Sequence, residues 1–129
     1  MGQQMKRRRQ RQRRMLHWAQ QGICAGCGGP IKATGKVKWA PDYPTFDHVD
    51  PRRLGGPRSI KNGLLKHRVC NELRKGDLPS GCDLVWHWSV LAKLRSEGAV
   101  AMWGEALAPV FHPGWQPPPA DSVNLSGQT

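Results

Sequence analysis

Two close pairs of residues, Cys24 with Cys27 and His67 with Cys70, have the spacing of a tetrahedral zinc site. Three thiolates and one imidazole satisfy zinc completely, so such a site is structural. The pairs stand 39 residues apart, and joining them clips an N-terminal segment onto a later one. That staple suits a chain with a small core. Cys82 competes with His67 for the fourth position. It follows Cys70 by 12 residues, about 18 Å if the stretch were all helix, so it would have to fold back after Pro79. Ordinary buried cysteines without metal are the plain alternative. Disulfides fit less well, because a tight Cys24-Ala-Gly-Cys27 pair sits in a basic chain without an export signal.

A second group carries oxygen and nitrogen rather than sulfur. Asp47 and His48 fall at the end of an expected strand, where neighbouring side chains point to opposite faces. They converge on one ion only if the chain turns there, and Pro51 makes a turn plausible. A neutral imidazole can take a proton from water near pH 7. A lone Asp-His pair is most often a surface turn, so the weight rests on what accompanies it.

Those companions are Asp47-His48-Val49-x-Pro51 with Gly55-Gly56, followed by Asn62-x4-His67-x2-Cys70-Asn71-x3-Lys75-Gly76. With the Cys24-x-x-Cys27 pair, this combination resembles the HNH endonuclease family, nucleases with a ββα-metal (His-Me finger) site. The resemblance covers about residues 15–77. It implies that Asp47 and Asn71 hold a catalytic divalent ion, that His48 is the general base, and that Asn62 orients His48. An Asp, an Asn and phosphate oxygens form a hard oxygen site suited to Mg²⁺ or Mn²⁺. Asn replaces the last His of the family's three-letter pattern, which weakens any preference for soft metals. Four Zn²⁺ ligands (Cys24, Cys27, His67, Cys70) complete the implied set. Small lone proteins of this kind resemble those of phages and mobile elements, some of which assist DNA packaging. That setting implies action in the cytoplasm of a bacterial or phage-infected cell.

The elements that must position these groups follow from pattern. Residues 5–21 lack Gly and Pro and predict a helix over roughly 8–21, stopped at Gly22. Residues 1–4 are expected to fray, and a disordered arm is the alternative for residues 1–10. Residues 22–31 read as a glycine-rich knuckle. Residues 32–44 read as an irregular connection with at most a short strand near Lys36–Trp39. Two strands, Tyr43–Val49 and Gly63–His67, should pair as a hairpin around a long loop, followed by a helix from about Cys70 to Lys75. Leu84, Trp88, Leu91 and Leu94 or Arg95 predict a helix over 83–96. A short helix near residues 100–107 and a Pro-rich tail from Phe111 complete the chain. Trp86, Trp88 and Trp103 are expected to cover the back of the fold. His17, His87 and His112 match no motif position and are expected on the surface or in packing, and Glu72 has no assigned role. The expected organisation is a basic arm (1–21), a zinc-stapled core (22–78), a helical cover (79–110) and a flexible tail (111–129). The fold class is α+β.

Charge separates along the same lines. The chain of 129 residues carries 20 Lys and Arg against 9 Asp and Glu, a net +11. Residues 1–75 hold a net +14 and residues 76–129 a net −3. Seven cations fall in the nine residues 6–14, and their mutual repulsion would be relieved by a polyanion. Double-stranded DNA is the expected partner, with an additional protein partner open. The candidate phosphate contacts are Arg7, Arg8, Arg9, Arg11, Arg13, Arg14, Arg52, Arg53, Arg58, Lys61, Arg68, Arg74 and Lys75. No apolar run reaches membrane-spanning length and no apolar stretch follows the N-terminal cations, so neither a membrane partner nor a secretory signal is expected. A zinc-stabilised nucleic-acid-binding module without catalysis is the rival reading.

Overall fold

The computed structural model describes residues 2–74 and 77–96. The expected helix near 100–107, the tail, Trp103, His112 and Lys75 lie outside them. The first helix, α1, spans Gly2–Ala19, beginning well before residue 8. It buries Gln12, Met15, Leu16 and Ala19, a stripe at helical spacing, while most of its cations face outward. Gly22 ends it as expected, in the left-handed region at φ 69°, with its N–H donating to His17 O at 2.9 Å.

Strands β1 (Pro44–His48) and β2 (Gly63–His67) form an antiparallel hairpin. Asp47 lies opposite Leu64 and His48 opposite Gly63. A glycine is required at 63, because a Cβ there would stand 2.3 Å from the Phe46 ring. The loop between the strands holds two 3-10 turns, Arg52–Leu54 and Ile60–Asn62. It is drawn tight at Gly56, whose N–H donates to Pro51 O and where a Cβ would collide with Asp50 O. Lys36–Trp39 forms no strand. A turn closes there instead, with Ala40 N–H donating to Val37 O at 3.1 Å.

Helix α2 (Arg68–Arg74) follows β2 without a linker, two residues earlier than the pattern predicts. No capping side chain marks its start. The carbonyls of Tyr43 and Pro41 instead accept from the N–H groups of Arg68 and Val69, at 2.8 and 3.0 Å. Those partners lie far away in sequence, so local reading misses the boundary.

Helix α3 (Gly81–Ser96) opens on a capping box. Ser80 N–H donates to Asp83 Oδ2 at 3.0 Å, and Asp83 N–H donates to Ser80 Oγ at 3.1 Å. Its buried face is Asp83, His87, Val90, Leu91 and Leu94, with Leu84 and Trp88 only half-buried. The stripe is therefore rotated from the expected one, because His87 is drawn inside to donate its Nε2–H to Lys61 O at 2.7 Å. The core lies between α1, the hairpin and α3, built on Leu16, Ile60, Leu64, Leu65, Val90 and Leu94. Gln20 acts there as a third strand edge, donating to Leu65 O at 2.9 Å and accepting from Leu65 N–H at 2.7 Å. This small ββα unit with flanking helices is the expected α+β class.

Candidate metal centre and nuclease site

The knuckle is held by its own backbone. Cys24 N–H donates to Gly29 O at 2.8 Å and Gly28 N–H to Cys24 O at 2.9 Å. The amides of Gly26 and Gly29 face the sulfurs of Cys24 and Cys27, at 3.3 and 3.4 Å. Gly26 has to be glycine, because the Cys70 Cβ would lie 2.6 Å from any Cβ there. His67 at the end of β2 and Cys70 on α2 then close the group. The ligand atoms of Cys24, Cys27, His67 and Cys70 all lie within 4.8 Å of one another. Tetrahedral zinc–sulfur geometry requires ligand separations of about 3.8 Å. Cys82 is exposed on the first turn of α3 and is not one of the four.

Protonation chemistry fits a cation at this point. His67 Nε2–H donates to Pro30 O at 2.9 Å, which leaves the Nδ1 lone pair facing Cys27 Sγ at 3.4 Å and Cys70 Sγ at 3.8 Å. The Gly29 amide lowers the Cys27 thiol to about 7. Burial, reinforced by the neighbouring Cys24 and Cys27 sulfurs, pushes the Cys70 thiol up to about 12. The Cys70 thiol therefore resists ionising, and a bound Zn²⁺ would remove that resistance.

The second group lies at the end of β1 and on α2. His48 lies on the face of Phe46, with ring centroids 5.0 Å apart, and the Arg58 guanidinium covers Phe46 at 4.3 Å. Burial, then Arg58 and Arg52, drive the His48 imidazole down to about 4. The ring is therefore neutral at physiological pH. Its buried Nε2 meets no hydrogen-bond partner among the described residues. A buried proton-accepting nitrogen left unpaired is a cost to a fold, and with arginines beside it this one is a candidate reaction group.

Asp47 alternates with His48 along β1, and its charge still reaches the His48 ring, where it opposes the lowering. Its buried carboxylate Oδ2 accepts from Lys66 Nζ at 2.7 Å and Arg74 Nη1 at 2.9 Å. Lys66 Nζ also reaches Asp83 Oδ1 at 2.6 Å. Two acids and two bases thus balance inside the protein. Asn71, one turn before Arg74, donates its Nδ2–H to Thr45 Oγ1 at 3.1 Å and to Phe46 O at 3.5 Å. The amide is held against β1 beside Asp47 with its oxygen end left to engage another group.

Two expectations, for Asn62 and Arg74, need correction. Asn62 is fully buried but does not touch the His48 ring. It accepts from Asp50 N–H at 2.8 Å and donates to Asp50 O and Pro57 O at 3.0 and 2.9 Å. Asn62 therefore orients the loop that follows His48, because its side chain substitutes for backbone partners the loop lacks. Arg74 is not an open phosphate contact. Its side chain is 7% exposed and is committed to Asp47, His48 O and Val49 O. Arg68 is likewise partly engaged, donating to Lys38 O at 2.6 Å and pairing with Glu72 at 3.3 Å.

The remaining cations divide by depth. Arg7, Arg8, Arg9, Arg11, Arg14, Arg52 and Arg53 are exposed, whereas Arg13, Arg58 and Lys61 are half-buried. Burial, then the charges of Arg9, Arg13, Arg52 and Arg8, lower Arg58 to about 10. Burial also lowers Arg13. The arginines of α1 and of the hairpin loop therefore crowd together near His48, and an anion would relieve them.

Lys66 and Asp83 have no signal in the local sequence, since their pairing exists only once α3 docks on β2. Burial opposes the Asp83 carboxylate, but the Lys66 hydrogen bond and charge hold its pKa below the usual 3.8. A depressed acid stabilises the fold above that value, and the contribution fades as pH falls through the lowered one. At neutral pH, Asp83→Asn leaves Lys66 and Arg74 sharing a single carboxylate in a buried setting. We expect a loss of about 3 kcal/mol in urea unfolding. A loss under about 1 kcal/mol would mean that the group is solvated.

Among the described residues no helix is long and apolar enough to cross a membrane. No curated protein and no solved structure matches the chain. The family model for HNH endonuclease matches residues 24–76, which include both cysteine pairs, both strands and α2. The family carries a nuclease-type function on nucleic acid. Residues 24–76 thus match the HNH endonuclease family model over a small ββα unit beside a Cys₃His cluster suited to zinc.

Proposed function

We propose that the protein is a metal-dependent endonuclease hydrolysing phosphodiester bonds in DNA, with His48 as the base that activates water. The single observation carrying this reading is the His48 Nε2: buried, unpaired, held neutral and surrounded by arginines. A residue serving only to bind phosphate would be cationic or already hydrogen-bonded.

The residues divide the work. Arg52, Arg58 and the α1 arginines bring the phosphate backbone to the hairpin, and the neutral His48 accepts the proton of the attacking water. Asn62 holds the loop behind it. Asp47 and Asn71 supply hard oxygen donors for Mg²⁺ or Mn²⁺. When bound, such an ion stabilises charge on the phosphate and the leaving 3′ oxygen. One Asp47 oxygen is already taken by Lys66 and Arg74, so the other is the one offered. Cys24, Cys27, His67 and Cys70 hold Zn²⁺ and fix β2 and α2 in place. Action in the cytoplasm, in a phage or mobile-element setting that includes DNA packaging, is the biological context proposed with this activity.

Zinc-loaded protein offered duplex DNA and duplex RNA side by side in Mg²⁺ or Mn²⁺ should cut the DNA, and EDTA should stop it. Cutting of RNA alone would reassign the substrate. Binding of DNA without any cutting would favour the non-catalytic zinc module.

A further inference from the structure

The segment between the knuckle and β1 has no role in the reaction described above, yet it carries the most exposed large apolar side chain among the described residues. Trp39 is 79% exposed. It sits at the tip of two consecutive turns, closed by Ala40 N–H to Val37 O at 3.1 Å and Tyr43 N–H to Ala40 O at 3.0 Å. Turn tips ordinarily carry polar residues, because an exposed indole forfeits the burial that makes tryptophan favourable.

The surroundings are cationic and firmly held. Lys32, Lys36 and Lys38 are all exposed, with Asp42 the one acid between residues 31 and 43. A groove of about 680 Å³ runs beneath the turn, lined by Lys32, Lys36, Val37, Tyr43 and His67 among others. The segment is anchored to the start of α2 by Arg68 N–H to Tyr43 O, Val69 N–H to Pro41 O and Arg68 Nε–H to Lys38 O. The last anchored residue, Val69, lies two positions before Asn71, within one helical turn of the candidate metal ligand.

From this arrangement we infer that residues 32–43 form a second nucleic-acid site, in which Trp39 stacks on the base of an unpaired nucleotide while Lys32, Lys36 and Lys38 follow its backbone. An indole face recognises any base, whereas the bases inside a duplex present no free face. The occupant is therefore a single-stranded flank or flap next to the position of cutting. A protein partner would find an equally exposed apolar residue, but the three lysines favour a polyanion. This inference rests on the nuclease reading and specifies the form of DNA that the site takes.

The test compares the zinc-loaded full chain with Trp39→Ala and Trp39→Phe, measuring equilibrium binding to a plain duplex and to the same duplex with a single-stranded flap. Trp39 is exposed, so both variants should keep normal zinc content and thermal stability. The expected result is a flap affinity about tenfold weaker in Trp39→Ala, recovered in Trp39→Phe, with duplex affinity unchanged. Equal flap affinity in all three proteins overturns the inference while leaving the nuclease reading intact. Failure of the unaltered chain to bind either DNA overturns both.

Discussion

Cys70→Ser protein is expected to retain no zinc after purification and to lose the cooperative unfolding transition of the parent chain. Among the described residues the sheet has two strands, and such a hairpin is marginal by itself. What joins the knuckle to β2 and α2 is the four-residue cluster, together with a few backbone bonds such as Ala25 N–H to Leu65 O at 3.1 Å. Structural zinc contributes about 10–16 kcal/mol to folding in small domains, against a typical total stability of about 5–15 kcal/mol. Losing one thiolate therefore removes a share comparable to the whole. Cys27→Ser should behave the same way, whereas Cys82→Ser should keep one equivalent of zinc, because Cys82 stands exposed outside the cluster. Normal zinc in His67→Ala combined with loss in Cys82→Ser would move the fourth ligand to Cys82. Zinc content by atomic spectroscopy, alongside circular dichroism melting, reads both outcomes.

The second large effect concerns His48. Replacing it by Ala removes the neutral nitrogen but none of the surrounding cations, so DNA should bind as before while cutting falls by about 10²–10⁴-fold. The Phe46 ring, the Arg58 contact above it and the Asn62 bonds to Asp50 all remain. The variant therefore has no reason to unfold, and equal melting temperatures should accompany the loss of rate. Weakened binding of the same magnitude as the lost cutting would make His48 a phosphate contact instead of a base.

The chemistry that depends on residue type and short spacing was legible in the sequence, and the chemistry that depends on docking was not. The paired cysteines and His67-x2-Cys70 announced the cluster because two pairs leave few other geometries for four soft ligands. The strand at residues 63–67 was likewise readable from its flanking turn signals. Asn62, by contrast, was expected on the His48 ring and instead completes the hydrogen bonds of residues 50–57. No local pattern distinguishes those partners, since both lie at the end of the same hairpin. Arg74 looked like any other cation beside a nucleic-acid site. Only the positions of Asp47 and of two backbone carbonyls reveal it as a clamp on the end of β1. The Lys66–Asp83 pair joins residues 17 apart through α3 packing, and α2 begins early because loop carbonyls cap it. Long-range satisfaction of buried polar groups is what a single sequence conceals.

The charge asymmetry also acquires a structural meaning. The α1 arginines and the hairpin-loop arginines, separated by some forty residues in sequence, lie close enough in the fold to add to the burial that lowers Arg58. Under the proposed function that crowding gathers anions near His48, but it would do so equally in a protein that only binds. In the proposed reading the distinction between binding and cutting rests on His48 with Asp47 and Asn71.

The most direct measurement is therefore the relaxation of supercoiled plasmid by zinc-loaded full-length protein in Mg²⁺ or Mn²⁺, run beside His48→Ala at matched DNA occupancy. The account predicts nicked or linear product from the parent chain and almost none from the variant. Equal product from both proteins, or a shifted but uncut plasmid with the parent chain under every divalent ion, would contradict it.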